Sequence, residues 1–165
     1  MLESDPSTFY VAMATAGVYK TTNAGTTFTP VFQNEGSSSI GHVVIEAKNP
    51  NTIWVGTGEA NNQRSVGWGD GIYRSDDAGR SWRNLGLKDS QHIGRIVIHP
   101  QNPDLVYAAV LGDIFGPNAE RGVYRSKNGG RSWERILFRN DVSGAIDLSM
   151  DPNNPRILFA SIWEA

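Results

Sequence analysis

The chain contains no cysteine, which removes disulfides, thiolate metal sites and thiol nucleophiles without fixing a compartment. No apolar run approaches the ~20 residues of a membrane span, and Met1-Leu2-Glu3-Ser4-Asp5 lacks the basic and apolar regions of a signal peptide. Neither sign of charge dominates. Fifteen Lys and Arg stand against 17 Asp and Glu over 165 residues, for a net charge of −2. Nothing resembles the concentrated basic face that a phosphate backbone requires, so nucleic acid is not an expected partner. Long stretches free of Gly and Pro are missing as well, because 18 Gly and 8 Pro punctuate the chain. The longest such stretch, Arg131 to Ser143, contains Ser132-Trp133 and Asn140-Asp141 and reads as a strand plus a turn rather than a helix.

What is present is a repeat. Gly17 to Phe28 (GVYKTTNAGTTF), Gly71 to Trp82 (GIYRSDDAGRSW) and Gly122 to Trp133 (GVYRSKNGGRSW) are three copies of one pattern. A second element recurs out of phase: Pro6, Pro50, Pro103 and Pro155 are each followed four residues later by an aromatic, Tyr10, Trp54, Tyr107 and Phe159. From each turn glycine to the next of these prolines the spacing is 33, 32 and 33 residues, whereas from proline to glycine it is 11, 21 and 19. All length variation therefore sits in one loop per repeat.

A period near 52 residues with a turn signal about every ten gives four short strands per copy. Strand A is read at Gly41–Ala47, Gly94–His99 and Gly144–Met150. Strand B follows the proline, at Thr52–Thr57, Leu105–Leu111 and Arg156–Trp163; strand C starts at the turn glycine; strand D runs from Phe28, Trp82 or Trp133 to Phe32, Leu87 or Phe138. Such small sheets must stack on one another to bury their faces, and four antiparallel strands per repeat stacked radially make a β-propeller blade. The expectation is an all-β propeller segment: a partial blade over residues 6–33 (strands B, C and D), blades over 40–87 and 93–138, and a partial blade over 143–165 (strands A and B). Its thirteen strands are an open arc of about three blades, whose outer faces call for further blades from a parent chain or a second copy.

In the C-to-D turn the Asp77 carboxylate can accept backbone N–H groups while Gly79 supplies a positive φ. The pattern Ser/Thr-x-Asp-x-Gly-x-Ser/Thr-Trp resembles the Asp-box, the bacterial neuraminidase repeat of sialidases, sortilin-type propellers, xyloglucan-degrading glycoside hydrolases and photosystem II assembly-factor-like proteins. Ser75, Asp77, Gly79 and Trp82 fit throughout. Thr21, Asn23, Gly25 and Phe28 depart at the acid and the aromatic, and Ser126, Asn128, Gly130 and Trp133 at the acid. The resemblance implies a structural role for these turns, and an extracytoplasmic or secreted location. The chain as a whole is most similar to bacterial sortilin-like or glycosyl-hydrolase-like propellers. A sialidase is disfavoured, because no Arg-Ile-Pro occurs and Arg74, Arg80, Arg125 and Arg131 lie in or beside the repeats, where strand-edge and turn solubility accounts for them.

Function is expected on the other face, where the variable B-to-C loops lie. The candidates are Glu59, Asn61, Asn62, Arg64, Trp68 and Asp70 in one loop, and Asp113, Phe115 and Arg121 in the next. An exposed Trp68 or Phe115 would stack on a sugar ring or anchor a partner's loop; alternatively each folds back to plug its own loop. Glu59 and Glu164 stand nine residues after their prolines and Asp113 ten. Two such acids could flank a glycosidic bond, bind calcium, or remain solvated rim charges. His42, His92 and His99 lack metal-ligand spacing, and no motif calls for a cofactor. The reading is a non-catalytic propeller that binds protein or glycan, with a glycoside hydrolase fragment using Glu59, Asp113 or Glu164 as the alternative.

Overall fold

The computed structural model describes residues 5–61 and 66–164. Thirteen strands form four antiparallel sheets in chain order. The first holds β1 (Phe9–Met13), β2 (Gly17–Thr21) and β3 (Thr29–Pro30); the second β4 (Ile40–Ile45), β5 (Ile53–Thr57), β6 (Ile72–Ser75) and β7 (Arg83–Asn84). The third holds β8 (Ile93–Ile98), β9 (Val106–Val110), β10 (Gly122–Ser126) and β11 (Glu134–Leu137), and the fourth β12 (Ser143–Met150) and β13 (Leu158–Glu164). The single helical piece among the described residues is a 3-10 turn at Lys88–Ser90, so no helix there is long and apolar enough to cross a membrane.

Each sheet buries a face against the next, as blades of a propeller do. Tyr10, Val18 and Phe32 meet Ile53, Val55 and Tyr73 between the first two sheets. Trp54 and Ile72 meet Ile93, Ile96 and Val110 between the second and third, and Ala109 and Val123 meet Ala145 and Leu148 beyond them. The inner strands β4, β8 and β12 approach so closely that a Cβ on Gly41 would collide with the Ile93 carbonyl, and one on Gly94 with that of Ile146.

Each inner strand carries a bulge, at Gly41, Gly94 and Ile146. The third copy is therefore offset from the sequence reading. Gly144, read as the partner of Gly41 and Gly94, precedes the equivalent position by two residues, and the residues in matching register are His42, Arg95 and Asp147.

The three turns share one hydrogen-bond pattern. Asp77 Oδ1 accepts the N–H groups of Arg80 (3.0 Å) and Ser81 (2.9 Å) and the Ser75 hydroxyl (2.8 Å), and Oδ2 accepts the Ser81 hydroxyl (2.6 Å). These bonds, led by that of the Ser81 side chain, hold the Asp77 carboxyl well below the usual carboxylate range. Asn23 and Asn128 place their carbonyl oxygens identically, accepting from Thr27 N–H (2.9 Å) and Ser132 N–H (3.0 Å), and donate through Nδ2 to the hydroxyls of Thr27 and Ser132 (both 2.9 Å). The amide replaces the acid because the hydroxyl reverses its role.

The motif tryptophans pack at the seam between sheets and reach back to the preceding one. Trp82 Nε1 donates to the Val31 carbonyl (2.6 Å) and Trp133 Nε1 to that of Leu85 (2.9 Å). Arg74, read as a solubilising side chain, donates to the Gly129 carbonyl of the next turn (3.3 Å) and stacks on Trp54 (5.2 Å). Its counterpart Lys20 and Tyr10 both donate to the Ala78 carbonyl (3.5 and 3.1 Å). Asp77→Asn is expected to leave the melting temperature nearly unchanged while Asp77→Ala lowers it. Trp133→Phe, which removes one inter-sheet donor, should cost about 1 kcal/mol in a denaturant melt.

Candidate functional site

The ends of β5 and β9 and the start of β8 lie on the face opposite the capped turns. Thr57, the last residue of β5, closes the base of the first variable loop: its hydroxyl oxygen accepts the N–H groups of Asp70 (2.8 Å) and Gly71 (3.0 Å). Ser39, in the preceding connection, accepts Glu59 N–H (2.9 Å) and donates to the Gly67 carbonyl (2.9 Å), while Ser37 donates to that of Trp68 (2.6 Å). Asp70, expected to face a ligand, accepts the Tyr73 hydroxyl at 2.5 Å and is half-buried. It pins the loop.

Arg121 requires a correction. It was expected among the ligand-facing groups, yet it is completely buried and donates to the carbonyls of Leu111 (3.0 Å), Asp113 and Gly116 (3.2 Å). Such a guanidinium satisfies backbone acceptors that a loop folded over itself would otherwise orphan. Asn118 ties the same loop outward, its N–H donating to the Asp141 carbonyl (2.8 Å).

Trp68 and Phe115 do not plug their loops. They are 67% and 62% exposed, although the backbone around each is held. Glu59 is half-buried and accepts from Asn61 Nδ2 (3.1 Å), and Asp113 Oδ1 accepts Phe115 N–H (2.9 Å). Asn62 and Arg64 lie outside the described residues.

Glu59 and Asp113 come from successive blades and both act on one residue that the sequence reading left aside. His92 is fully buried, its Nδ1–H donates to the Gly112 carbonyl (2.8 Å), and its Nε2 has no hydrogen-bond partner. Burial pushes this imidazole below its ordinary range, against the Gly112 bond and the negative charges of Asp113 and Glu59. Its signal in sequence was its position directly before β8, between the two variable loops. Glu164 sits on the fourth sheet, at the exposed end of β13. Among the described residues no group of three His, Cys, Asp or Glu could hold a metal ion, so the calcium expectation gains no ligand cluster.

The inner strands carry a second polar feature. A groove of about 340 Å³ between β4 and β8 is lined by His42, Glu46, Lys48, Arg95 and His99 among others. His42 Nδ1 accepts Ile96 N–H (3.2 Å), and Arg95 pairs with Asp147 at 3.5 Å.

No family model matches the chain, and no curated protein matches it. Among solved structures it is similar to an ancestral GH74 enzyme, at 24% identity over 93% of this chain and 20% of that one, with a TM-score of 0.74. It is similar also to the GH74 enzyme of Niastella koreensis, at 21% identity over 94% of this chain and 23% of that one, with a TM-score of 0.71. YCF48 bound to D1 peptide shares 16% identity over 91% of this chain and 43% of its own, with a TM-score of 0.57. The chain spans about a fifth of the length of the GH74 structures it matches. At these identities the likeness establishes the β-propeller fold and leaves activity to the residues.

The histidines set a pH dependence. Burial, reinforced by Arg95 and opposed by Asp147, pushes His42 down to about 4. An unfolded histidine titrates near 6.5, so below that pH the unfolded chain binds more protons than the folded one. Stability is expected to change little through these histidines between about pH 7 and pH 9 and to fall progressively from about pH 6.5 towards pH 4. Melting temperatures across that range, with His42→Gln flattening part of the decline, check this.

Proposed function

We propose that this chain is a binding segment of a β-propeller that engages a glycan or a protein loop through the face carrying the two variable loops. The observation that carries the reading is that Trp68 and Phe115 stay largely in water on backbones fixed by Ser37, Ser39, Thr57 and Arg121. Large aromatics on a held loop are pre-organised contacts, since little entropy remains to be lost on binding. Flat apolar faces beside Glu59, Asn61 and Asp113 suit a sugar ring, which offers an apolar face and a hydroxyl rim.

The alternative, a piece of a glycoside hydrolase, is favoured by one observation: the solved structures that it resembles include GH74 enzymes. A hydrolase would require Glu59 and Asp113 to face each other across a cleft.

Titration with xyloglucan and mixed β-glucan oligosaccharides, and with peptide loops, separates the readings. Trp68→Ala and Phe115→Ala are each expected to weaken binding by about 1–3 kcal/mol with little change in melting temperature. No reducing sugar should be released. Turnover abolished by Glu59→Gln or Asp113→Asn would establish the hydrolase instead.

A further inference from the structure

One position is used in the same way at two seams of the structure, by side chains of different chemistry. Ser39 stands directly before β4 and His92 directly before β8. The Ser39 carbonyl accepts Gly58 N–H (2.8 Å) and the His92 carbonyl accepts Leu111 N–H (2.9 Å), each at the base of a variable loop, eight residues after Pro50 and Pro103. Their side chains then reach into the loop itself. The Ser39 hydroxyl accepts Glu59 N–H (2.9 Å) and donates to the Gly67 carbonyl (2.9 Å), and His92 Nδ1–H donates to the Gly112 carbonyl (2.8 Å). A hydroxyl keeps its charge state near neutrality, whereas an imidazole takes up a proton there.

The surroundings of His92 are not prepared for that proton. The ring is completely buried, and with Nδ1–H committed to Gly112 its Nε2 is left without a hydrogen-bond partner. The second variable loop starts on this ring. Gly112 turns at φ +80, where a Cβ would strike the Arg121 side chain, and the buried Arg121 holds the carbonyls of Leu111, Asp113 and Gly116. Protonation would add an N–H at Nε2 with no acceptor and would place a cation where Arg121 opposes it. The charges that favour it, Asp113 of the same loop and Glu59 of the first, are outweighed by burial. Lys88 and Asp89, on the turn leading into His92, are exposed, and Asp141 acts on Arg121. A buried cation with an unmet donor is relieved when water reaches it. The 112–121 segment contains no strand and is the part that can yield.

We infer that His92 is the positioning residue for Phe115: the neutral imidazole clamps the second variable loop and presents the aromatic, and the imidazolium releases it. Trp68 stays in place in acid, because Ser37 and Ser39 hold its loop with groups that do not titrate. The inference rests on the reading of this face as a binding surface, and makes that surface lose one of its two aromatic contacts on acidification. The closed loop is fully favoured above the ordinary histidine range, near pH 6.5, and progressively less below it.

Native-state hydrogen exchange on the 165-residue protein tests the clamp without a ligand. Protection factors, which remove the intrinsic pH dependence of exchange, are compared between about pH 7.5 and about pH 5. The N–H groups of Leu111 and Asn118, bonded to the carbonyls of His92 and Asp141, should lose protection at least about tenfold. Glu59 N–H, bonded to Ser39, and the amides of β5 should lose less. The His92 ring resonances should shift over the same interval. His92→Gln, whose amide can donate to Gly112 but takes up no proton, should remove the difference between Leu111 and Glu59; the wild-type comparison decides alone if that variant does not fold. Equal losses at Leu111 and Glu59 in the wild-type protein, or an undiminished acid loss at Leu111 in His92→Gln, would overturn the proposal. The alanine substitutions at Trp68 and Phe115 test separately whether the face binds.

Discussion

An indole N–H of one sheet donating to a backbone carbonyl of the sheet before it is the contact on which the arrangement rests. It needs a tryptophan held at a fixed height above the preceding strand D, and that height is set by the capped turn. Asp77 gathers two backbone N–H groups and two hydroxyls, so the chain leaves the turn in one direction and Trp82 arrives at Val31. The glycine of the turn has a second duty. A Cβ on Gly130 would strike Leu85 and Trp54, so the turn can lie against the preceding sheet only without one. Local capping and long-range packing are thus one device.

With stacking secured on one face, the opposite face is free to vary. The described parts of its variable loops, 59–61 with 66–70 and 112–121, are nevertheless held by side chains. Ser39 and Thr57 close the first at its base, and Arg121 fills the second with a buried cation whose donors reach three carbonyls. Polar groups that in sequence resemble a ligand-binding set divide in the structure. Arg121 and Asp70 hold the loops, while Trp68 and Phe115 project from them. An exposed aromatic on a hydrogen-bonded backbone is a surface prepared for contact.

Strand positions were readable because each repeat punctuates itself with Gly and Pro, and internal copies serve as an alignment. The offset in the third inner strand was not, since Gly144 imitates Gly41 and Gly94 while the bulge falls at Ile146, and a bulge at a residue with a side chain leaves no compositional mark. The direction of the tryptophans was equally hidden: periodicity shows that an aromatic is buried, not which sheet buries it. A signal for the inter-sheet contact was present, however. Lys20, Arg74 and Arg125 occupy one position in all three copies, which solubility alone does not require. Arg121 misled because a buried arginine satisfied by carbonyls is rare, and His92 was overlooked because the acids near it, Glu59 and Asp113, are far away in sequence.

If the indole-to-carbonyl bond couples sheets, weakening one bond must be felt on both sides of it. Native-state hydrogen exchange on Trp133→Phe measures this directly, strand by strand. The account requires protection to fall together in β5 and β6 of the second sheet and in β9 and β10 of the third. A loss confined to the third sheet, with the second unchanged, would contradict it.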